Sequence, residues 1–158
     1  MIRFIAAIDS KRGIADDHGL PWASKVPDEV ADFRAKIQDG LILMGYDTYV
    51  VVSKPLNPAI NYVATSKDEP LREGFQTVKD ARAFIRQATQ DIWNIGGAIL
   101  FASTLDLADE LYLTQIEGDF HCTKFFPPYE DKFVLAEESQ PITENGITYR
   151  FQRYVRKT

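Results

Sequence analysis

Five short apolar runs, set at intervals along the chain, most constrain what it can fold into. They are Ile2-Arg3-Phe4-Ile5-Ala6-Ala7-Ile8, Leu41-Ile42-Leu43-Met44, Asn61 to Thr65, Ile92-Trp93-Asn94-Ile95 and Leu111-Tyr112-Leu113-Thr114-Gln115-Ile116. Each is too short for a stable core helix, so each reads as a strand, with Ile2 to Ile8 and Leu41 to Met44 buried. Between them lie stretches with helical spacing: Pro27 or Asp28 to Ile37, Asp47 to Val51, Asp80 to Thr89 and a helix starting over Ala98 to Ala102. Gly40 reads as the glycine that ends the first helix. A brief strand is predicted at Gln76-Thr77-Val78. Alternating strands and helices require a largely parallel sheet wrapped on both sides. Phe133 to Glu137 and Thr148 to Val155 add a closing antiparallel pair, with a turn at Asn145-Gly146 near their junction. The fold class is therefore α/β, in a single domain over 1–158. Sheets of this kind bind ligands beyond the carboxyl ends of their strands. The loop from Gly13 to Trp22 and the turns at Gly45, Ser66 and Gly96-Gly97 sit at such ends.

Composition narrows the function. With 158 residues and 45% hydrophobic content, the chain can bury a core without staples. Its formal charge is −5 and it has no long Lys/Arg run, which argues against a nucleic-acid partner. No apolar run approaches membrane-spanning length, and Ile2 to Ile8 is too short and too β-like for a leader. One cysteine, Cys122, allows no internal disulfide and fits a reducing compartment, so a cytoplasmic location is expected. His18 and His121 lack a second ligand at metal-site spacing, so no metal is expected. Ser10, Ser24 and Ser53 lack a nucleophile-elbow context.

The helix beginning at Pro27 carries the most informative residue. At about 100° per residue, Val30, Phe33 and Ile37 form its apolar face, Glu29 borders that face, and Asp28 and Asp32 point to solvent. Glu29 has two readings. It is either a second first-turn acid favoured by the helix dipole or a carboxylate at the core's rim, whose raised pKa would suit proton transfer near neutral pH. Gly96-Gly97, between a strand and a helix, is either a tight turn or a place where phosphates approach the backbone. Trp22 reads either as packing or as part of a site corner with Leu20 and Pro21.

Taken together, Ile5-Ala6-Ala7-Ile8, Gly13-Ile14, Leu20-Pro21-Trp22, Pro27 through Phe33, Met44-Gly45, Thr48, Lys54-Pro55-Leu56, Trp93-Asn94-Ile95-Gly96-Gly97, Leu111-Tyr112-Leu113-Thr114 and Phe126-Pro127 resemble, in order and spacing, the dihydrofolate reductase family. The resemblance covers nearly the whole chain. It implies a three-layer α/β/α fold around an eight-stranded, mostly parallel mixed sheet with a C-terminal antiparallel hairpin. It also implies a monomer that reduces dihydrofolate to tetrahydrofolate with NADPH. By the same resemblance, Glu29 meets the pterin's amino group and N3, Thr114 supports it, Trp22 holds a water, and Leu20 rides over the reacting rings on a mobile loop. Ile5, Ala6, Ala7, Val30, Phe33, Arg34, Val52, Leu56 and Ile95 would line the substrate site. Ala7, Ile14, Leu20, Gly45, Tyr46, Asp47, Thr48, Thr65, Ser66, Gly96, Gly97, Ala98, Ile99, Leu100 and Phe101 would line the cofactor site, with the Gly96-Gly97 bond cis.

The chain departs from the family pattern at several points. Ala59 stands where an arginine grips the folate α-carboxylate. Tyr46, Asp47 and Ile99 replace basic residues near the cofactor phosphates, and Ala98 replaces a glycine. Thr123 replaces an acid that anchors the loop, and two residues are added between Trp22 and Pro27.

Overall fold

The computed structural model describes residues 1–158. The strands are β1 (Ile2–Ile8), β2 (Gly13–Ala15), β3 (Leu41–Gly45), β4 (Asn61–Ala64), β5 (Phe75–Val78), β6 (Ile92–Asn94), β7 (Glu110–Ile116), β8 (Lys124–Phe125), β9 (Phe133–Glu138), β10 (Ile142–Glu144) and β11 (Ile147–Arg156). The helices are α1 (Pro27–Lys36), α2 (Tyr46–Val51), α3 (Ala81–Gln87) and α4 (Ala98–Thr104).

The main sheet runs β10-β11-β7-β1-β6-β3-β4-β5, with β9 also on β11. Strands β5, β4, β3, β6, β1 and β7 are mutually parallel, and β11 closes the sheet antiparallel to β7. Nine strand segments fill eight positions because β9 and β10 divide one edge of β11: β10 pairs with Ile147 to Tyr149, and β9 with Gln152 to Arg156. The sequence reading anticipated the β9–β11 pair but missed β10. The Asn145-Gly146 turn joins β10 to β11, not β9 to β11. It also missed the separate β2–β8 pair, which ties the Gly13 segment to Phe125.

Alternation along β1 and β3 builds the three layers. Phe4 and Ile8 point to one face, with Phe101, Leu111 and Phe126. Ile5, Ile42 and Met44 point to the other, with Ile37, Tyr49 and Trp93. Leu43 joins Ile85 and Leu100 of α3 and α4 on the first face. Burying each of these large side chains contributes about 1.5–3 kcal/mol.

One boundary reading changes. The first helix ends at Lys36 with Ile37 as its cap. Gly40 lies beyond it, in the turn into β3, with φ +96° and its Cβ position 2.7 Å from the Asp91 carbonyl oxygen. Val26 is the N-cap, Pro27 opens the helix, and Asp28 is a first-turn acid.

Candidate active site

The most buried residue of α1 is its acid. Glu29 is 7% exposed, while Val30 and Phe33, which the helical spacing placed on the apolar face, are only half-buried. Burial pushes the Glu29 carboxyl up to about 7, with Asp32 adding to the rise and Lys36 opposing it. A smaller push upward comes from Glu144, and the Thr114 hydroxyl pulls the other way. Thr114 is itself buried, and the register of β1 against β7 sets it beside Ala7. The two readings of Glu29 are not exclusive: it is a first-turn acid of α1 and is also buried, with its carboxyl raised by desolvation.

Trp22 is 1% exposed and packs with Val26, Ile116, Ile147 and Tyr149. Its ring meets Phe120 edge-on, with centroids 5.3 Å apart. Its Nε1 is buried without a protein acceptor, so packing alone does not account for it. Ile5 is buried, and half-buried Phe33, Leu56 and Ile95 pack against its cluster. Ala6, Ala7 and Val52 are also half-buried. Leu20 is 52% exposed and Arg34 is exposed, so neither is locked in place by the protein.

On the other side of the sheet centre, the Gly96-Gly97 bond is cis, as the resemblance implied. The Gly45 amide donates to the Gly96 carbonyl at 2.7 Å, joining the ends of β3 and β6. Asn94, fully buried, accepts from the Gly96 amide at 3.0 Å and donates to Thr104 Oγ1 at 3.1 Å. A polar residue inside an apolar strand is the sequence signal for this support. A side chain at Gly96 would strike Phe101, whereas a Cβ on Gly97 would meet only Thr48 Oγ1, at 3.8 Å. The open backbone of Gly97, beside a hydroxyl and the start of α4, fits a phosphate-bearing ligand lying across it. Ile14, Leu100 and Phe101 are buried beneath this region, Gly45, Tyr46, Thr48, Thr65 and Ala98 are half-buried, and Asp47, Ser66 and Ile99 are exposed.

The Gly13–Trp22 loop is held at its stem by a group the sequence reading missed. The buried Asp9 carboxylate accepts from the amides of Lys11 (2.9 Å), Gly13 (2.8 Å) and Phe120 (3.0 Å). Near its tip, Thr123 donates its amide to Ala15 O at 2.9 Å and its hydroxyl to Asp17 at 3.2 Å. The acid of the clasp thus sits on the loop, and threonine supplies the donor. Burial, with Asp9 nearby, pushes the Cys122 thiol up to about 11, which leaves it without thiolate character.

The sequence matches the family profile described as dihydrofolate reductase over residues 1–156. It is 31% identical to the dihydrofolate reductase of Bacillus subtilis over 162 positions, covering 99% of this chain and 95% of that protein. This chain belongs to the dihydrofolate reductase family. A second relative, the dihydrofolate reductase of Staphylococcus aureus, is 30% identical over 159 positions, covering 99% and 98%. The fold matches that of a solved dihydrofolate reductase from Enterococcus faecalis, complexed with NADP(H) and RAB-propyl. The TM-score is 0.85 at 21% identity, covering all of this chain and 97% of that one.

Within this family member, the departures can now be placed. Ala59 is exposed in a loop locked by Asn57 and Asn61. Lys79 is occupied by Asp68 and the carbonyls of Ser66 and Lys67. Lys67 lies over the Tyr46 ring at 4.5 Å, and the Tyr46 hydroxyl donates to Glu69. The two added residues fall in a 3-10 turn, Ala23–Lys25, ahead of α1.

Proposed function

We propose that the chain reduces 7,8-dihydrofolate to tetrahydrofolate with NADPH. The observation that carries this reading is the Glu29 carboxyl, buried near Thr114 and held near neutral pKa. Glu29 hydrogen-bonds the pterin's amino group and ring N3, and this fixes the ring's orientation. The reaction adds a hydride to C6 and a proton to N5. NADPH supplies the hydride when bound, and Gly45, Thr48, Gly96, Gly97 and the start of α4 would hold it. The rest is the protein's work: Ile5, Val30, Phe33, Leu56 and Ile95 orient the flat ring and exclude water. Trp22 Nε1 offers a buried donor to a water or ligand atom. Glu29, protonated in part at neutral pH, governs the supply of the proton that water delivers to N5. Leu20 closes over the rings with its loop.

The absence of arginine at position 59 favours a second reading, in which another pterin without a glutamate tail is the substrate. The same reading places the protein in the cytoplasm as a monomer, without nucleic-acid or membrane partners. Its charge of −5 is consistent with this, and no helix is long and apolar enough to cross a membrane. Absorbance at the nicotinamide band, with dihydrofolate added to enzyme and NADPH, tests the proposal. Steady oxidation of NADPH is expected. Oxidation only with untailed pterins supports the second reading, and binding without oxidation refutes both.

A further inference from the structure

We propose that Glu144, on the β10–β11 hairpin, is a positioning residue for Glu29: it caps α1 from outside the helix and fixes where the Glu29 carboxylate stands. The sequence around α1 leaves a gap that something must fill. Val26, at the N-cap position, has no side-chain acceptor, and Pro27 has no amide hydrogen. The first donors of the helix are therefore the amides of Asp28 and Glu29. Both are taken by a carboxylate 115 or more residues away in sequence: Asp28 N donates to Glu144 Oε2 at 3.1 Å, and Glu29 N donates to Glu144 Oε1 at 3.3 Å. A charged acceptor at a helix N-terminus also meets the positive end of the dipole.

Glu144 is itself held in place. The hydroxyl of Tyr149, whose side chain is 1% exposed, donates to Oε1. One residue on, Asn145 Nδ2 donates to the Lys25 carbonyl at 2.9 Å, so the hairpin turn grips the segment before the helix as well. Ile147 and Tyr149 pack with Trp22 and Val26. The hairpin, the Trp22 corner and the first turn of α1 thus form one body, and the acid in question is part of its frame.

The groups facing Glu29 on its own helix are Asp32 and Lys36; Thr114 faces it from β7, and Glu144 and Tyr149 from the hairpin. Burial works against the charge on Glu144, but the Tyr149 hydroxyl and the two amides prevail and hold it below the ordinary carboxylate range. Glu144 stays anionic near neutral pH, and its charge helps to keep the proton on Glu29.

This inference rests on the reading of Glu29 as the proton-handling acid, but it has its own readout. The test follows Glu29 by carbon NMR of carboxyl-labelled glutamate in the full-length protein, with amide exchange at residues 28 and 29 measured alongside. Glu144→Gln keeps an acceptor and the shape but removes the charge. The Glu29 midpoint is expected to fall, and the alkaline limb of kcat/KM to move to lower pH with it. Glu144→Asp, which keeps the charge, is expected to restore most of the midpoint. Tyr149→Phe releases Glu144 without changing core volume much, and carries the test should Glu144→Gln not fold. In this variant the amides at 28 and 29 exchange faster and the midpoint falls in the same direction. A midpoint unmoved in a folded Glu144→Gln or Tyr149→Phe variant overturns the proposal, whatever the turnover. A moved midpoint in a chain that does not reduce dihydrofolate upholds it and refutes the functional reading instead.

Discussion

Replacing Glu29 with Gln is expected to make the protein more stable at alkaline pH while largely removing its activity. Glu29 is 7% exposed, and its carboxyl is raised from 4.5 to about 7. As pH rises above 4.5, the unfolded chain gives up this proton, whereas the folded chain keeps it until about pH 7. The contribution of Glu29 to stability therefore falls across that window and levels off above it. The full rise corresponds to about 3 kcal/mol, of which about 2 to 3 kcal/mol accrues between pH 5 and pH 8. Gln has the same shape and no proton to lose, so it escapes this cost. Urea unfolding of both proteins at pH 5 and pH 8 isolates the effect, because every other titration is common to the pair. The stability difference, variant minus wild type, is expected to grow by about 2 to 3 kcal/mol from pH 5 to pH 8, or about 5–10 °C in Tm for a domain of this size. Over the same range kcat/KM of the variant is expected to lie about 10²–10⁴-fold below wild type. A stability difference that does not change with pH would refute the assignment of Glu29 as the buried titrating acid.

Gly96→Ala places a side chain at φ +92° and 2.6 Å from the Phe101 ring, and is expected to cost about 2–4 kcal/mol by urea unfolding. A loss under 1 kcal/mol would mean that the turn is not rigidly held. Thr123→Val removes the hydroxyl bond to Asp17 but touches only exposed structure, so global stability is expected to stay within about 0.5 kcal/mol. Amide exchange in residues 13–22 should nevertheless accelerate, and unchanged exchange would show that the clasp does not hold the loop. Ala59→Arg is expected to tighten binding of glutamate-bearing folates about tenfold or more, the value of one charge-assisted pair. Small diaminopyrimidines should be unaffected, and calorimetry that finds both classes improved equally would contradict the placement of the tail.

The central strands were legible because a parallel sheet covered on both faces demands unbroken apolar runs, and Leu41 to Met44 and Leu111 to Ile116 supply them. The helix starting at Pro27 was legible from its spacing, but that Glu29 rather than Val30 or Phe33 is its most buried residue was not. β10 was not: Ile142-Thr143-Glu144 carries no run or alternation long enough to stand out, and it exists because β11 offers an edge. The same is true of Asp9, an ordinary polar residue until the amide of Phe120 is brought to it.

The chain's own order of apolar runs, turn residues and glycines determined the layers and the strand directions, and set Glu29 in the first turn of α1. Tertiary structure alone decided how that carboxyl behaves. Its burial beside Thr114 and the hold of Glu144 on its helix join segments roughly a hundred residues apart. Desolvation and charge depend on distance in space, and no spacing along one segment can report it.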